Sequence, residues 1–305
     1  MKKLKIAALA AAALSLLFAG CAPQTTPAAT TAPEATTAAP AIPDGADPTL
    51  YAMVPQALRD SGVLKVAVSL AYEPMEFSDP GSEELKGIDI ELAQEVGKRL
   101  GLTVEFDNVD FEQLITGVTT GRDDLIWTAM SDYTERQTKV DFVDYFRTGD
   151  AFFAPAAAKD TIKDTKDLCG LTVTVASGTN WGQTVKQVSD EVCTDGKEIG
   201  ILEIETLAEQ KVQMKTDRAQ AILMGLEGGA GADLEAGEYY HFGEVLKPNN
   251  YGVGVAKENT GLRDAVQAAL KAMGADGTYL AILTKYGCAD AAIADFTIND
   301  GISGE

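Results

Sequence analysis

Short apolar runs alternate with segments of helical periodicity along the chain from about Pro48 onwards. The runs VLKVAVS (63–69) and DLIWTAM (124–130) are typical of buried strands. Between them, IDIELAQEVGKRLG (88–101) places its apolar residues on one helical face. This alternation predicts βαβ units, in which helices cover a mainly parallel sheet.

The alternation begins again after the segment RTGDAFF (147–153). LTVTVAS (171–177) predicts a strand, and NWGQTVKQVSDEV (180–192) predicts an amphipathic helix. Further elements follow up to NNYGVGVAK (249–257), which predicts a strand before two closing helices separated by a glycine turn. Two similar halves predict an α/β fold of two lobes with a cleft between them. No internal repeat is strong enough to indicate duplication.

Residues 1–20 have the pattern of a secretory signal peptide: lysines first, then an apolar run, then small residues. The apolar run is too short for a membrane span. Its ending, LFAGC, resembles the lipobox of bacterial lipoproteins, which implies cleavage before Cys21 and lipidation of that residue. Cleavage by an ordinary signal peptidase, which would leave Cys21 as a thiol, is the alternative.

Residues 21–49 are mostly Ala, Thr and Pro. Such a composition cannot bury enough apolar surface to offset the entropy of ordering the chain. We therefore expect a disordered tether that begins at Cys21. The folded body is then predicted to lie outside the cytoplasmic membrane, attached to it only through the lipid anchor.

The chain has 46 Asp and Glu residues against 25 Lys and Arg residues, a formal net charge of −21. Nucleic acid and anionic membranes repel such a surface, which argues against both as partners. His241 is the one histidine, and no CxxC or HExxH spacing occurs. The sequence therefore predicts no metal site, and no cofactor is expected.

Arg136 lies in the stretch SDYTERQTKVDFVDYF, among acidic and aromatic residues. An exposed ion pair with Glu135 or Asp132 is one interpretation, since such pairs are common and weak. The other is that its planar guanidinium binds a carboxylate that is not part of the protein. Thr134 and Gln137 have the spacing of a capping box, which predicts a short helix that orients Arg136.

The motifs AYEPMEF, KGIDIELAQEVGKRLG, SDYTERQTKVDFVDYF, LTVTVASGT, DRAQAILM and NNYGVGVAK follow one another in this order. Together they resemble the extracytoplasmic solute-binding proteins of amino-acid ABC transporters, family 3 of the type II periplasmic binding proteins. The resemblance runs from about Leu64 to Gly287. It implies a two-lobed α/β fold, each lobe a mainly parallel sheet flanked by helices. Two hinge strands join the lobes, which close on a ligand.

The same resemblance implies the hinges and the division of the chain. The hinges fall near 146–150 and 247–251. The segments are a signal peptide (1–20), a tether (21–49), lobe 1 (50–146 plus 252–290), lobe 2 (151–246) and a C-terminal tail (291–305).

The resemblance also implies ligand-binding residues in lobe 1. Arg136 would pair with the ligand's carboxylate, a charge-assisted contact that contributes about 1.5–3 kcal/mol in a closed cleft. Tyr72 and Phe111 would form two aromatic walls, with core packing as the alternative for both. Thr128 and Ser131 would line a strand end just before Arg136.

Lobe 2 is expected to contribute Thr179 and Asn180 of the SGTN motif, at a helix N-terminus that suits an anion. At the position of Gly225 the family usually has an aspartate that pairs with the ligand's ammonium group. Glu227, two residues later, is the candidate to replace it. The motifs therefore specify the carboxylate end of the ligand and leave its other end open.

Cys169 and Cys193 lie in one segment of a chain whose predicted export permits disulfides. The segment DLCGLTVTVASGT…EVCTDGK resembles a branch of the family with a cysteine pair in lobe 2, which implies a Cys169–Cys193 disulfide. Cys288 is left over.

These features predict a monomeric binding protein rather than an enzyme. It would capture a small carboxylate-bearing solute, an amino acid in the first instance, and deliver it to an ABC-transporter permease. One alternative is that the ligand is a carboxylate other than an amino acid. Another is that the partner is a signalling receptor in place of the permease. The same fold also hosts dehydratases, for which Glu73 and Glu227 are the candidate general acids.

Overall fold

The computed structural model of the protein describes residues 41–79, 81–230 and 237–304. The predicted signal peptide, the lipidation of Cys21 and most of the predicted tether lie outside these residues. Within them, no helix has an apolar stretch long enough to cross a membrane.

The described strands follow the predicted order, with two of them much longer than the rest. They are β1 (Val63–Val68), β2 (Phe77–Ser78), β3 (Leu85–Lys86), β4 (Thr103–Asn108), β5 (Leu125–Ile126), β6 (Val140–Pro155), β7 (Thr172–Ala176), β8 (Gly200–Ile204), β9 (Ala221–Gly225) and β10 (Tyr239–Ala256).

The described α-helices are α1 (Pro48–Met53), α2 (Gln56–Ser61), α3 (Ile88–Arg99), α4 (Leu114–Thr119), α5 (Thr134–Gln137), α6 (Trp181–Val192), α7 (Leu207–Lys215), α8 (Thr260–Asp276) and α9 (Thr278–Lys285). Short 3₁₀ segments occur at Phe111–Gln113, Ala156–Ala158, Thr165–Leu168, Leu226–Ala230 and Ala289–Ala291.

Eight strands form one sheet in the order β4-β1-β5-β10-β6-β9-β7-β8. On one side β4, β1 and β5 are parallel, and on the other β9, β7 and β8 are parallel. The antiparallel pair of β6 and β10 runs through both groups, and its register shifts between Phe242 and Leu246 and again before Asn249. The predicted two-lobed α/β fold with two connecting strands is confirmed, whereas the exact lobe boundaries stay predictions.

Alternation along the strands gives each lobe two cores, one on each face of the sheet. In β1, Val66 and Val68 pack in the core that contains α3, α8 and α9, and Ala67 packs in the core that contains α4. In β9, Leu223 packs toward α6, whereas Ile222 packs toward α7. The lobes are therefore separately packed layers of helix, sheet and helix.

Two elements differ from the sequence prediction. The strand expected at 124–130 ends at Ile126, because the chain turns at Ala129, which has the left-handed φ of 43°. The backbone N–H of Ala129 donates to Asp89 Oδ2 (2.6 Å), and this contact holds the turn. The strand expected at 249–257 is longer than predicted, because β6 supplies backbone partners for it from Tyr239 onwards.

Candidate functional site

A cavity lies where loops from both lobes meet, at the carboxyl ends of the parallel strands. Loops after β1, β4 and β5 form one wall, and the loop between β7 and α6 forms much of the other. Ligand sites of open α/β sheets are typically found at this edge. The space, including its part open to solvent, is about 750 Å³.

Most residues proposed from the sequence line this cavity. They are Tyr72, Phe111, Thr128, Ser131, Arg136, Thr179 and Asn180. Glu227 does not line it, and neither does Glu73, the other candidate acid. The lining also includes Trp181, for which the sequence left ligand contact and simple packing both open. Other lining residues were not singled out as ligand-binding from the sequence: Glu76, Tyr133, Glu205, Gln210 and Tyr251.

Arg136 is the cation of this cavity and has no carboxylate partner among the described residues. One terminal nitrogen donates to the carbonyl oxygen of Ser131 (3.0 Å), and the other donates to Asn180 Oδ1 (3.2 Å). Its guanidinium carbon lies over two aromatic rings, 5.4 Å from the centroid of Phe111 and 5.2 Å from that of Tyr133. Burial lowers the pKa of Arg136, but a guanidinium remains charged at neutral pH.

The acids next to Arg136 in sequence are engaged elsewhere. Asp132 accepts a hydrogen bond from the Gln137 side chain, and Glu135 accepts from Ser303 and Gly304. The interpretation of Arg136 as one half of an exposed ion pair with either acid is therefore wrong. Its planar donor set faces a cavity instead.

The predicted capping box at Thr134 and Gln137 is wrong. Helix α5 begins at Thr134, its N-cap is Tyr133, and no side chain caps it. The Thr134 N–H donates to the carbonyl oxygen of Ile302 (3.0 Å), and Gln137 turns away to Asp132. A distant segment of the chain supplies the acceptor that the motif would have supplied locally.

Thr179 and Asn180 lie at the start of α6, as expected, but their side chains bond to different parts of the protein. Thr179 Oγ1 donates to the carbonyl oxygen of Ala176 (2.7 Å) and so fixes the loop. Asn180 is the N-cap residue without making a side-chain cap, because its Oδ1 accepts from Arg136 of the other lobe. Asn180 therefore orients the guanidinium across the cleft.

The Glu227 carboxylate is surrounded by hydroxyl groups. Its Oε1 accepts from the Tyr72 and Tyr251 hydroxyls, and its Oε2 accepts from Thr148 Oγ1, each at 2.6 Å. Tyr72 also accepts a hydrogen bond from the Gly225 N–H (3.0 Å), so this contact joins the two lobes. Burial, together with the Glu227 charge, raises the pKa of both tyrosines well above the usual value.

Gly225 is glycine because the Glu227 carboxylate occupies the adjacent space. A Cβ at position 225 would collide with Glu227 Oε1 and with the Tyr251 hydroxyl oxygen. Glu227 thus lies close to the place of the expected aspartate side chain, but the tyrosines separate it from the cavity. The structure does not bring Glu227 into the cavity wall.

Two further acids lie close together at the cavity wall, where Glu76 lines the cavity and Asp89 does not. Glu76, 2% exposed, accepts from Thr128 Oγ1 (2.8 Å), and Asp89 accepts from the Tyr145 hydroxyl (2.7 Å). Burial and the neighbouring Asp89 raise the pKa of Glu76 well above its ordinary range, and burial raises that of Asp89 to about 7. Both effects favour the neutral form of Glu76.

Residues 64–289 match the family model described as bacterial extracellular solute-binding proteins, family 3. The chain belongs to this family. That match covers both lobes and all residues that line the cavity. No group of three or more His, Cys, Asp and Glu residues in the described part of this solute-binding protein is arranged to hold a metal ion.

Individual relatives of this solute-binding protein have related names. It is 28% identical to the arginine-binding protein ArgT of Corynebacterium glutamicum over 257 aligned residues. This alignment covers 83% of each chain. It is 26% identical over 229 residues to the L-cystine-binding protein TcyA of Bacillus subtilis (strain 168), or 75% of this chain and 82% of the relative. Among solved structures, it is similar to the ancestral amino-acid-binding protein AncCDT-1, a precursor of cyclohexadienyl dehydratase. The TM-score is 0.68 at 26% identity, over 78% of this chain and 99% of the other.

The C-terminal tail of this solute-binding protein reaches the edge of the cavity. Glu135 accepts from Ser303 Oγ (2.7 Å) and the Gly304 N–H (3.0 Å), and Lys247 donates to the Gly304 carbonyl oxygen (2.7 Å). A Cβ at Gly304 would lie 2.7 Å from a ring carbon of Tyr133 and 2.8 Å from Asn180 Nδ2. Only a glycine allows this approach, so the tail packs beside residues from both lobes.

The contacts of Glu135 predict a pH-dependent tail. Hydrogen bonds from Gly304 and Ser303 lower the pKa of Glu135 from 4.5 to about 2. Their contribution is therefore present above the unfolded pKa and is lost as the pH falls through about 2. We expect Glu135→Gln to accelerate amide exchange at Gly304 by up to about tenfold at pH 7, since a partly exposed charged acceptor is lost.

NMR-detected hydrogen exchange measures this effect. Glu258→Gln, which changes an exposed acid outside the tail contacts, is the matched control and should leave the exchange rate unchanged. Equal rates at Gly304 in Glu135→Gln and the wild type would show that the carboxylate does not hold the tail.

The cavity residues not assigned as ligand-binding from the sequence carried only weak sequence signals. Trp181 directly follows the SGTN motif, and Glu76 lies inside AYEPMEF, so both were adjacent to predicted positions. Tyr251 comes from β10 and Gln210 from α7, and no local pattern marks either as facing a ligand. Only the packing of the two lobes brings them to the same cavity.

Proposed function

We propose that this protein is the ligand-capturing component of an ABC importer, anchored outside the cell membrane through Cys21. Its ligand would be a small carboxylate of the amino-acid class, held between the lobes and passed to a permease. The observation that carries this proposal is Arg136, a charged and partly buried donor group that has no carboxylate partner among the described residues. A charge that is partly withdrawn from water is expected to be paired.

Closure on such a ligand is supported by the position of the contacts. Arg136 belongs to the first lobe and Asn180 to the second, so one carboxylate between them contacts both. A ligand shifts an equilibrium toward closure only through contacts that the open form lacks. The Arg136 and Asn180 pair would supply such contacts. The names of the arginine- and cystine-binding relatives support a ligand of the amino-acid class.

We propose binding without chemical conversion of the ligand. Glu73 does not line the cavity, and both oxygens of Glu227 are occupied by hydroxyl donors. A general acid must reach the reacting atom of its substrate. Recovery of unchanged ligand after prolonged incubation with the purified protein is the expected result, and a new product would replace this proposal with an enzymatic one.

A thermal-shift screen of amino acids and related carboxylates tests the proposed function. A ligand present at 100 times its Kd should stabilise the protein by about 2.7 kcal/mol. For a body of this size, that corresponds to a rise in Tm of about 5–10 °C. Amines and sugars without a carboxylate should give no shift. A response to these, with none to any carboxylate, would refute the assignment.

A further inference from the structure

Three aromatic side chains line the cavity with their polar edges bonded to buried carboxylates. Tyr72 and Tyr251 donate to Glu227, and the Trp181 Nε1–H donates to Asp150 Oδ1 (2.8 Å). The centroids of the Tyr72 and Trp181 rings are 6.1 Å apart, with the planes tilted by 52°. The hydrogen-bonding edges of these rings are therefore directed at the protein, which leaves the ring surfaces as what these three side chains can present to the cavity.

The carboxylates behind these rings form no ion pair with a described residue, although Lys247 acts on Asp150 at longer range. Glu227 is 5% exposed and Asp150 is 2% exposed, and neither forms an ion pair with a described residue. Hydroxyl and indole groups satisfy their oxygens but do not neutralise their charge. A positive group in the cavity would do so through the rings, which become more electron-rich when their O–H and N–H groups donate to a carboxylate.

Other carboxyl groups of the cavity do not offer a direct ion pair. The Oε1 atom of Glu76 accepts from Thr128 Oγ1, and its Oε2 atom is buried, while burial and the neighbouring Asp89 raise the pKa of this carboxyl well above its ordinary range. Glu205 is exposed, so water screens its charge. A primary ammonium group, with three N–H donors, would therefore find no buried free carboxylate in front of it.

We propose that the cleft binds a zwitterion whose cationic end is a methylated ammonium group, held by the faces of Tyr72, Trp181 and Tyr251. This inference rests on the proposed function, because Arg136 holds the carboxylate of the same ligand. A quaternary ammonium group has no N–H donors to satisfy and binds aromatic faces through their quadrupoles. The ligand class is that of N-methylated amino acids, or betaines.

Calorimetric titration of the purified protein with matched ligands tests this proposal. The pairs are glycine with trimethylglycine, proline with N,N-dimethylproline, and 4-aminobutanoate with 4-(trimethylammonio)butanoate. The methylated member should bind at least about tenfold more tightly in each pair that binds. The carbon isostere of trimethylglycine, 3,3-dimethylbutanoate, should bind about tenfold more weakly than trimethylglycine, because it keeps the shape and the carboxylate but lacks the cationic charge.

Two substitutions at one position separate the ring from its hydroxyl. Tyr72→Leu removes the ring and should weaken binding of the methylated ligand about tenfold. Tyr72→Phe keeps the ring but uncovers Glu227, so it should improve binding of the primary amine relative to the methylated one. Tyr240→Phe removes a hydroxyl that donates to Ile162, in the same lobe as Glu227, and should change neither.

Distinct outcomes overturn the inference and the proposed function. Tighter binding of the primary amines, or equal binding of trimethylglycine and 3,3-dimethylbutanoate, overturns the aromatic cation site and leaves the carboxylate-binding function intact. If no carboxylate binds in the titrations or in the thermal-shift screen, both the aromatic cation site and the carboxylate-binding function are overturned. A loss of methylated-ligand binding in Tyr72→Leu, with Tyr240→Phe unchanged, supports the site.

Discussion

Arg136→Ala is expected to abolish tight ligand binding while leaving the protein folded. Removal of one partner from a buried, hydrogen-bonded charge pair typically costs about 2–5 kcal/mol. We therefore expect at least about a 30-fold rise in Kd, and about 300-fold for a mid-range value. Folding should change little, because the guanidinium donates only to a carbonyl oxygen and a side-chain amide at the edge of a solvent-accessible cavity.

Isothermal titration and thermal unfolding of Arg136→Ala separate these two effects. Arg147→Ala is the matched control, since Arg147 is an exposed arginine of β6 that does not line the cavity. Arg136→Lys adds a further test, because it keeps the charge but loses the planar donor pair, and we expect it to recover binding only in part. Wild-type affinity of Arg136→Ala for the true ligand would refute the role of this residue.

Removal of the Cys169–Cys193 disulfide is expected to cause the largest loss of stability. The bond joins residues 24 apart in sequence, with Cα atoms separated by 5.5 Å, and connects the segment before β7 to the end of α6. Without the bond, the unfolded chain gains conformational entropy, which lowers the free energy of unfolding by about 3–4 kcal/mol for a loop of this length. The double variant Cys169→Ser/Cys193→Ser should therefore unfold about 10 °C below the wild type.

Cys288→Ser is the control for that double variant. The Cys288 thiol is buried, and Sγ donates to the Tyr286 carbonyl oxygen (3.5 Å), a contact that a serine hydroxyl reproduces. It should therefore change Tm by much less than the double variant. Urea unfolding with and without reductant is a second readout, in which reduced wild type should match the double variant. Equal midpoints for the oxidised wild type and the double variant would contradict the entropic contribution of the bond.

The sequence predicted the elements well where the decisive interactions are local. Helices α3 and α6 and strands β1 and β7 follow from apolar periodicity, which depends on neighbours within one or two turns. Prediction failed where a distant segment intervened. The Thr134 N–H donates to the carbonyl oxygen of Ile302 instead of forming the predicted capping box. Strand β10 is longer than its own pattern indicates, because β6 pairs with it.

The candidate site shows the same division. Motifs after β1, β5 and β7 placed Tyr72, Arg136 and Asn180 at one edge of the sheet, because parallel strands end together. The sequence left open whether Arg136 pairs with its acidic neighbours. It also gave no sign that the Glu227 carboxylate would bond the hydroxyl of Tyr72, 155 residues away.

By itself, the sequence determined the two lobes and the positions of their loops, since these follow from periodicity and strand order, and its resemblance to the solute-binding family implied a guanidinium at the cleft. Tertiary structure alone decided which charges remain unpaired. It joined Glu135 to the tail and enclosed Glu227 behind two tyrosines, and it left Arg136 facing the cavity. The physical reason is that a side chain's partners are set by packing between segments far apart in the chain, where no local pattern records them.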